Sequence, residues 1–371
     1  MQEIIDTFAG VICAAARDAT PVCIRGGGSK DFYGNAPRGA VLATGAYRGI
    51  VAYDPTELVI TARCGTPLAE LEAVLLENKQ MLAFEPPHFA GWRSFDTSGS
   101  GAEGRDAAAT ISTLGGCVAA GLSGPRRASA GAVRDFVLGV SMLDGRGEEL
   151  RFGGRVMKNV AGYDVSRLVA GSMGTLGLIL DVSLKVLPRP ATETTLRLSM
   201  AQGEAIAAMN RWAAQPLPIS ATCHEGNTLT IRLSGSEAAL RAAQRTIGGE
   251  QVGDTEAFWL GLRDHTLAFF SGALPVWRLS VKSTAPPLNL PGAQLVEWGG
   301  ALRWLKSAAD PELVREAARA YGGHAILFRA EDKPAGAFQP LAPAMLEIHR
   351  RLKQAFDPAR VLNPGRMYAG L

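Results

Sequence analysis

The sequence predicts an α+β protein with a glycine-punctuated first half and a second half in which strands and helices alternate. Three observations carry this expectation. Residues 1–189 interrupt apolar runs with glycine clusters at 26–28, 115–124 and 153–177. Residues 190–338 drop those clusters and alternate short apolar strands with amphipathic helices, the pattern of a ferredoxin-like α+β cap. Residues 339–371 add one more helix and a turn-rich tail. A chain of 371 residues also suits two domains of roughly 100–200 residues each.

Apolar positions Ile4, Ile5, Phe8, Val11, Ile12 and Ala15 recur at helical spacing, so a first helix should end before Pro21. A strand at 22–25 then runs from Arg25 into Gly26, Gly27, Gly28, Ser29 and Lys30. Bare backbone N–H groups after a strand can cradle a phosphate, with Arg25 and Lys30 adding charge, although the same string also makes a flexible turn. It lacks the spacing of a Walker A loop. Strands are expected at 50–53 and 58–62, and a helix opening at Thr66-Pro67 should bury Leu68, Leu71, Val74 and Leu75. A strand at 81–85 should stop at Pro86-Pro87.

The segment 89–105 contains a literal GxGxxG at 99–104. Polar residues 93–98 precede it where a nicotinamide-binding Rossmann unit needs a hydrophobic strand, so it is read as a surface segment. From Thr113 onward, Gly115, Gly116, Ala119, Gly121, Leu122, Ser123 and Gly124 give either a main chain that a ligand can lie against or a helix packed through small residues. The Arg126-Arg127 pair favours the ligand. A hairpin of 136–143 with 149–152 turns at Asp144-Gly145. Glycines at 153, 154, 162, 171, 174 and 177 follow, and the chain then becomes a buried strand ending at Pro188.

In the cap, strands are expected at 196–200, 219–224, 229–233, 276–281, 302–305 and 325–328, and helices at 204–214, 237–246, 256–262 and 311–321. A last helix at 341–356 should turn Met345, Ile348, Leu352 and Phe356 inward before Asp357-Pro358.

Composition excludes several classes. Lys plus Arg number 38 against 35 Asp plus Glu, with no basic block and only 7% aromatic residues, which argues against nucleic acid. Five cysteines without a CxxC pair read as reduced core thiols of a cytosolic protein. Five scattered histidines show no metal-ligand spacing. No apolar run reaches the ~18 residues of a membrane-spanning helix.

The string from Val156 to Asp164, with Lys158, Gly162 and Tyr163, continues through Arg167-Leu168 to Gly171, Gly174, Thr175, Gly177 and Leu178. Together with the 113–127 segment and the ending Asp357-Pro358 … Leu362-Asn363-Pro364-Gly365, it resembles FAD-linked oxidases of the vanillyl-alcohol-oxidase type, and among them the FAD-binding subunits of bacterial glycolate oxidase (glycolate dehydrogenase). The resemblance implies a PCMH-type FAD-binding domain of two α/β subdomains over 1–189, a cap over 190–338, and a segment 339–371 that folds back onto the first domain. It implies FAD held by Arg25, Gly26 to Lys30, Thr113, Gly115, Gly116, Ala119, Gly121 to Gly124, Lys158, Gly162, Gly174, Thr175, Gly177 and Leu178. Members with a covalent flavin carry a His where this chain has Ser29, so FAD is expected without a covalent bond.

The chemistry so implied is oxidation of a small 2-hydroxy acid, alongside a flavoprotein like the D chain of glycolate oxidase and an iron–sulfur subunit. Such a protein is cytoplasmic, with inner-membrane attachment supplied by partners. Lys158, Arg126, Arg127 and Arg167 are candidates for charge near the flavin, and Asn363 and Tyr163 for hydrogen bonds to ring or substrate. The D chain of that family carries an HxGDGNxH-type metal and substrate string that the cap here lacks. Two roles follow: a working flavin subunit of the oxidising complex, or a catalytically silent flavin-binding scaffold that assembles the others.

Overall fold

The computed structural model describes residues 1–89, 110–154 and 164–371. All but the first residue of the expected segment 89–105 lies outside the described residues, as do Lys158, Gly162 and Tyr163.

Helix α1 (Gln2–Asp18) buries Phe8, Ile12 and Ala15 and stops at Ala19, which is left-handed at φ 51°. Strand β1 (Val22–Arg25) pairs in parallel with β2 (Ala40–Ala43). Strands β3 (Ile50–Asp54) and β4 (Val59–Arg63) precede α2 (Leu68–Glu77) and the short β5 (Gln80–Met81). The strand expected at 81–85 shrinks to Gln80–Met81, because Leu82, Ala83 and Phe84 enter the core and Glu85 turns at φ 48°. Helices α3 (Leu114–Ala120), α4 (Arg127–Ala130) and α5 (Val133–Phe136) lead to the hairpin of β6 (Val137–Leu143) and β7 (Glu149–Gly153). Helix α6 (Val165–Val169), β8 (Leu178–Lys185) and β9 (Leu187–Pro188) complete the first half.

Strands β3, β4, β8, β6 and β7 form one antiparallel sheet in that order. Strand β8 sits at its centre and is buried at six of its eight positions, since both of its faces are covered. Leu68, Leu71 and Leu75 of α2 and Leu114, Cys117 and Val118 of α3 share its core. Of the five cysteines four are buried, whereas Cys13 is exposed and its thiol donates to the Arg146 carbonyl at 3.2 Å.

The second half is one eight-stranded antiparallel sheet. Its first unit runs β10 (Thr192–Ser199), α7 (Gln202–Ala213), β11 (Ile219–Glu225), β12 (Thr228–Gly235), α8 (Glu237–Ile247) and β13 (Glu250–Val252), in sheet order β13-β10-β12-β11. Helix α9 (Glu256–Asp264) links it to the second unit, which contains β14 (Val276–Ser280), β15 (Ala293–Glu297), β16 (Leu302–Lys306), α10 (Pro311–Arg319) and β17 (His324–Arg329), in order β15-β16-β14-β17. Both orders are the ferredoxin-like 4-1-3-2 arrangement. The two units join edge to edge where β11 pairs with β15, Cys223 opposite Glu297.

Alternate positions of a strand share a face. Cross-strand register therefore places Cys223, Glu297, Leu302, Trp304, Arg278 and Ile326 together on one side of the sheet. That side meets the first half: Trp298, Trp304, Phe270 and Phe328 share a core with Tyr33, Phe89, Ala120, Leu122 and Met173. Leu305, Leu279 and Leu327 point the other way and pack with Val314 and Ala318 of α10.

Helix α11 (Pro343–Phe356) departs from expectation. Met345 and Ile348 are 46% and 51% exposed, and the fully buried residue is Lys353. The helix touches the protein through its last turns, where the Lys353 ammonium donates to the carbonyls of Thr175 (2.8 Å) and Leu362 (2.6 Å) and pairs with Asp357 at 2.8 Å. Asp357 in turn accepts from the Leu362 N–H at 2.8 Å. Removing one member of so buried a pair strands the other's charge, so Asp357→Leu should lower stability by about 3–5 kcal/mol. Lys353→Met combined with Asp357→Leu should lower it less than Asp357→Leu alone, as urea unfolding followed by tryptophan fluorescence can measure.

Candidate functional site

The three glycine clusters meet around helix α3. At its N-terminus, a Cβ on Gly26 would stand 2.4 Å from Thr113 Oγ1 and one on Gly27 would stand 1.9 Å from the Ile111 carbonyl oxygen. At its C-terminus, a Cβ on Gly121 would lie 2.8 Å from Gly171 Cα, and the N–H groups of Gly171 and Met173 donate to the carbonyls of Val118 and Ala119. No side chain fits between backbones this close, which is the physical reason for glycine at these positions. Gly174, at φ 71°, leaves room for the Asn363 amide, whose Nδ2 would be 2.6 Å from an added Cβ.

One stripe of α3 stays open. Gly116 and Ala119, three residues apart, are half-exposed while their neighbours are buried. Among the described residues, a Cβ on Gly116 would meet only Thr113 Oγ1, at 3.2 Å. By contrast Gly115 packs on Cys64, Gly124 on the Glu85 carbonyl and Gly177 on the Leu143 carbonyl, while Leu122 and Leu178 belong to the core. Within the cradle, Thr113 caps α3 by accepting from the Gly116 N–H at 3.3 Å.

Several expected roles change in the folded chain. The first donors of α3 are already used: Leu114 N–H donates to the Thr66 carbonyl and Gly115 N–H to the Cys64 carbonyl, so the helix N-terminus is not aimed at a ligand. Arg25 pairs with Asp31 at 2.6 Å, which raises its pKa. Lys30 turns inward and donates to Ser112 Oγ (2.5 Å) and Ser29 Oγ (3.3 Å), and burial brings its pKa down to about 8. Thr175 donates to the Ser172 carbonyl, and Ser123 Oγ accepts from the Val133 N–H. Asn363 is a clamp: its Oδ1 accepts from the Ile24 N–H and its Nδ2 donates to the Met173 carbonyl, each at 2.7 Å. Arg167 pairs with Asp164 at the surface.

Arg126 and Arg127 divide sharply. Arg126 is buried between Glu85 (3.3 Å) and Glu193 (2.5 Å), and Arg232 closes the set by pairing with Glu85 at 2.7 Å. These four charges bolt the cap to the first half. Arg127 instead faces a cavity of about 220 Å³ lined by Tyr33, Gly121, Arg134, Gly171 and Arg278. Both the Arg127 and Arg278 guanidiniums lie over the Trp298 ring, at 4.5 and 5.2 Å, and neither makes an ion pair among the described residues. Burial first, and then the neighbouring guanidinium, lowers the pKa of Arg127. A desolvated cation–π contact contributes about 2 kcal/mol but occupies none of the guanidinium N–H donors, so an anion would add charge-assisted hydrogen bonds of about 1.5–3 kcal/mol each to what the indole supplies.

Loop 30–35 is held by cations that bond carbonyls. Arg366 donates to the carbonyls of Lys30, Asp31 and Asn35, and Lys333 to those of Phe32, Gly34 and Phe328, with burial bringing the Lys333 pKa to about 7. Bare loops, one open helix face and cations without carboxylates fit a dinucleotide diphosphate. Sequence reasoning passes over Tyr33, Arg134, Arg278, Lys333 and Arg366. Of these, Arg278, a lone charge inside the apolar run 276–281, is the one with a visible signal.

Comparison with known proteins agrees with this geometry. Residues 5–105 match the FAD binding domain family and residues 338–367 the C-terminal domain of FAD linked oxidases. The glycolate oxidase subunit GlcE of Escherichia coli is 49% identical over 96% of this chain and 95% of its own length. The chain belongs to the GlcE family of FAD-linked oxidases. FAD is its cofactor. The glycolate oxidase subunit GlcD of Bacillus subtilis is 29% identical over 52% of this chain and 37% of its own length. Among solved structures, 4-ethylphenol oxidase from Gulosibacter chungangensis shares the fold with a TM-score of 0.68 at 14% identity, covering 99% of this chain and 88% of that one. An alkyldihydroxyacetonephosphate synthase gives 0.66 at 15% identity, over 96% and 74%. The GlcE-family chain is thus a PCMH-type FAD-binding fold with an α+β cap, and among its described residues no helix is long and apolar enough to cross a membrane.

Gly116→Glu should fold normally yet lose FAD, because the new carboxylate projects from the open face of α3. Gly174→Glu should fail earlier by displacing Asn363. Flavin absorbance together with circular dichroism separates the two, and a flavin-replete Gly116→Glu protein would place the cofactor elsewhere.

Proposed function

We propose that this GlcE-family chain is the FAD-carrying subunit of an assembly that oxidises glycolate or a similar small 2-hydroxy acid, with a GlcD-like flavoprotein and an iron–sulfur subunit as partners. The observation that carries the substrate class is the cavity of Arg127, Arg134 and Arg278 between the two halves. Bound FAD would supply the two-electron acceptor.

The chain's own residues set out the rest. Arg278 from the cap and Arg127 from α4 would hold the substrate carboxylate, with the buried Trp298 ring beneath both guanidiniums, and Tyr33 on the cavity wall would help keep water from the anion, strengthening the attraction. We assign FAD to the 26–30 loop, the Gly116–Ala119 face of α3 and the 171–175 loop, with Asn363 and Lys353 as positioning residues that fix the first and last of these to the tail. Among the described residues no group of three His, Cys, Asp or Glu stands ready for a metal ion.

The purified chain should be yellow and release unmodified FAD on acid precipitation, with glycolate:dye reductase activity low alone and restored by the co-purified partners. A colourless protein that ignores added FAD would remove this assignment. Within the assembly, Arg278→Met should raise the KM for glycolate roughly 10–100-fold at unchanged FAD content. An unchanged KM would take the arginine cavity out of substrate binding.

A further inference from the structure

We propose that Glu297 couples proton binding to anion binding in the arginine-lined cavity: an anion against Arg278 is held while Glu297 is protonated and is released when Glu297 ionises and draws on the same guanidinium. This rests on the assignment of that cavity to a carboxylate.

Glu297 and Arg278 lie on the same face of the cap sheet, on opposite sides of β16, since Glu297 pairs with Leu302 and Arg278 with Trp304 two residues further along that strand. Glu297 is 3% exposed, and its Oε1 accepts from the Trp304 indole N–H at 2.6 Å. Both side chains line a second, smaller cavity with His265, Arg263, Phe89 and Phe328, and Arg278 also lines the 220 Å³ cavity, so it separates the carboxyl from the anion site. At more than 4.0 Å from each other they form no ion pair.

Among the described residues, the other groups facing Glu297 are spoken for or neutral. Arg263 is paired with Asp264 at 2.7 Å, and Glu85 with Arg126 and Arg232. His265 is stacked on Phe270 at 3.9 Å and held neutral, its pKa well below the ordinary value through burial and the nearby Arg329 and Arg278. Cys223, opposite Glu297 on β11, stays a thiol because burial pushes its pKa up. Arg278 is therefore the cation whose field Glu297 shares with a ligand. Burial pushes the Glu297 pKa up to about 8, against the smaller pull of the Trp304 hydrogen bond and Arg278.

The sign follows. Below about pH 8 Glu297 is neutral and Arg278 serves the anion alone; above it, ionised Glu297 repels the anion and competes for Arg278. An anion already bound raises the Glu297 pKa further, so binding at high pH takes up a proton.

The test is calorimetric titration of oxalate, a small carboxylate fully ionised throughout, into the FAD-loaded protein between about pH 6.5 and about 9.5. The expected Kd is level below about pH 8 and rises by about tenfold per pH unit above it, with uptake approaching one proton there, counted from buffers of different ionisation heat. Glu297→Gln keeps an oxygen for Trp304 and should hold the low-pH affinity across the whole range. Two results overturn the coupling while sparing the anion site: a pH profile shared by both proteins, or no proton uptake in the unsubstituted one. If oxalate fails to bind at any pH, the anion site and the coupling fall together.

Discussion

The closest packing in this protein is backbone against backbone, and the rest of the first half is arranged to permit it. Gly26 and Gly27 lie on 111–113, Gly115 on Cys64, Gly121 on Gly171 and Gly124 on the turn at Glu85. Every one of these crossings involves helix α3 or the residues flanking it. A single methyl group would have to push a main chain aside at Gly27, Gly121 and Gly124 and a buried side chain at Gly26 and Gly115, and overpacking of that kind typically destabilises by about 1–3 kcal/mol. The helix is consequently gripped on most sides, and the stripe at Gly116 and Ala119 stands out as the place where something other than protein can approach.

The grip is completed from the far end of the sequence. Asn363 joins the strand before the first glycine cluster to the loop of the last one, Arg366 gathers three carbonyls of loop 30–35, and Lys353 ties the tail to Thr175. All three donate from a side chain to backbone carbonyls, and Asn363 also accepts from the Ile24 N–H, so the loops themselves are fixed through neutral backbone groups. That choice matters for the ligand, because a carboxylate at any of these positions would have opposed a diphosphate.

Much of this was legible in the residues, and the limits are physical. Strand β1, the β6–β7 hairpin and helix α2 declare themselves through periodicity and turn chemistry, and the 113–127 cluster stands out by its small residues. Sequence alone could not say which glycines make room for protein and which for a ligand, since both needs produce the same letter. Arg126 and Arg127 show the same limit: adjacent and identical, they part because only Arg126 reaches Glu85 and Glu193. Strands β2, β13 and β15 are short or carry weak alternation, so their pairing is decided by neighbours that are distant in sequence. In α11 the apolar spacing of Met345 and Ile348 pointed inward, but the buried contact is made by an ammonium whose three oxygen partners come from folding.

Charge at the junction is sorted accordingly. The carboxylates Glu85 and Glu193 are consumed by Arg126 and Arg232, while Lys30 bonds hydroxyls, Lys333 and Arg366 bond carbonyls, and Arg127 and Arg278 rest on an indole. Hydrogen bonds to neutral groups orient a cation without cancelling its field, and in a poorly solvated junction that field is strong. The depressed pKa values of Lys30, Lys333, Arg127 and Arg278 share burial as their first cause, and those of Arg127 and Arg278, which line one cavity, would be eased by an anion placed between them. A protein that spends Glu85 and Glu193 on bolting two halves together, and leaves Arg127, Arg134 and Arg278 facing the gap, has made binding of an anionic ligand part of the electrostatic balance of that junction.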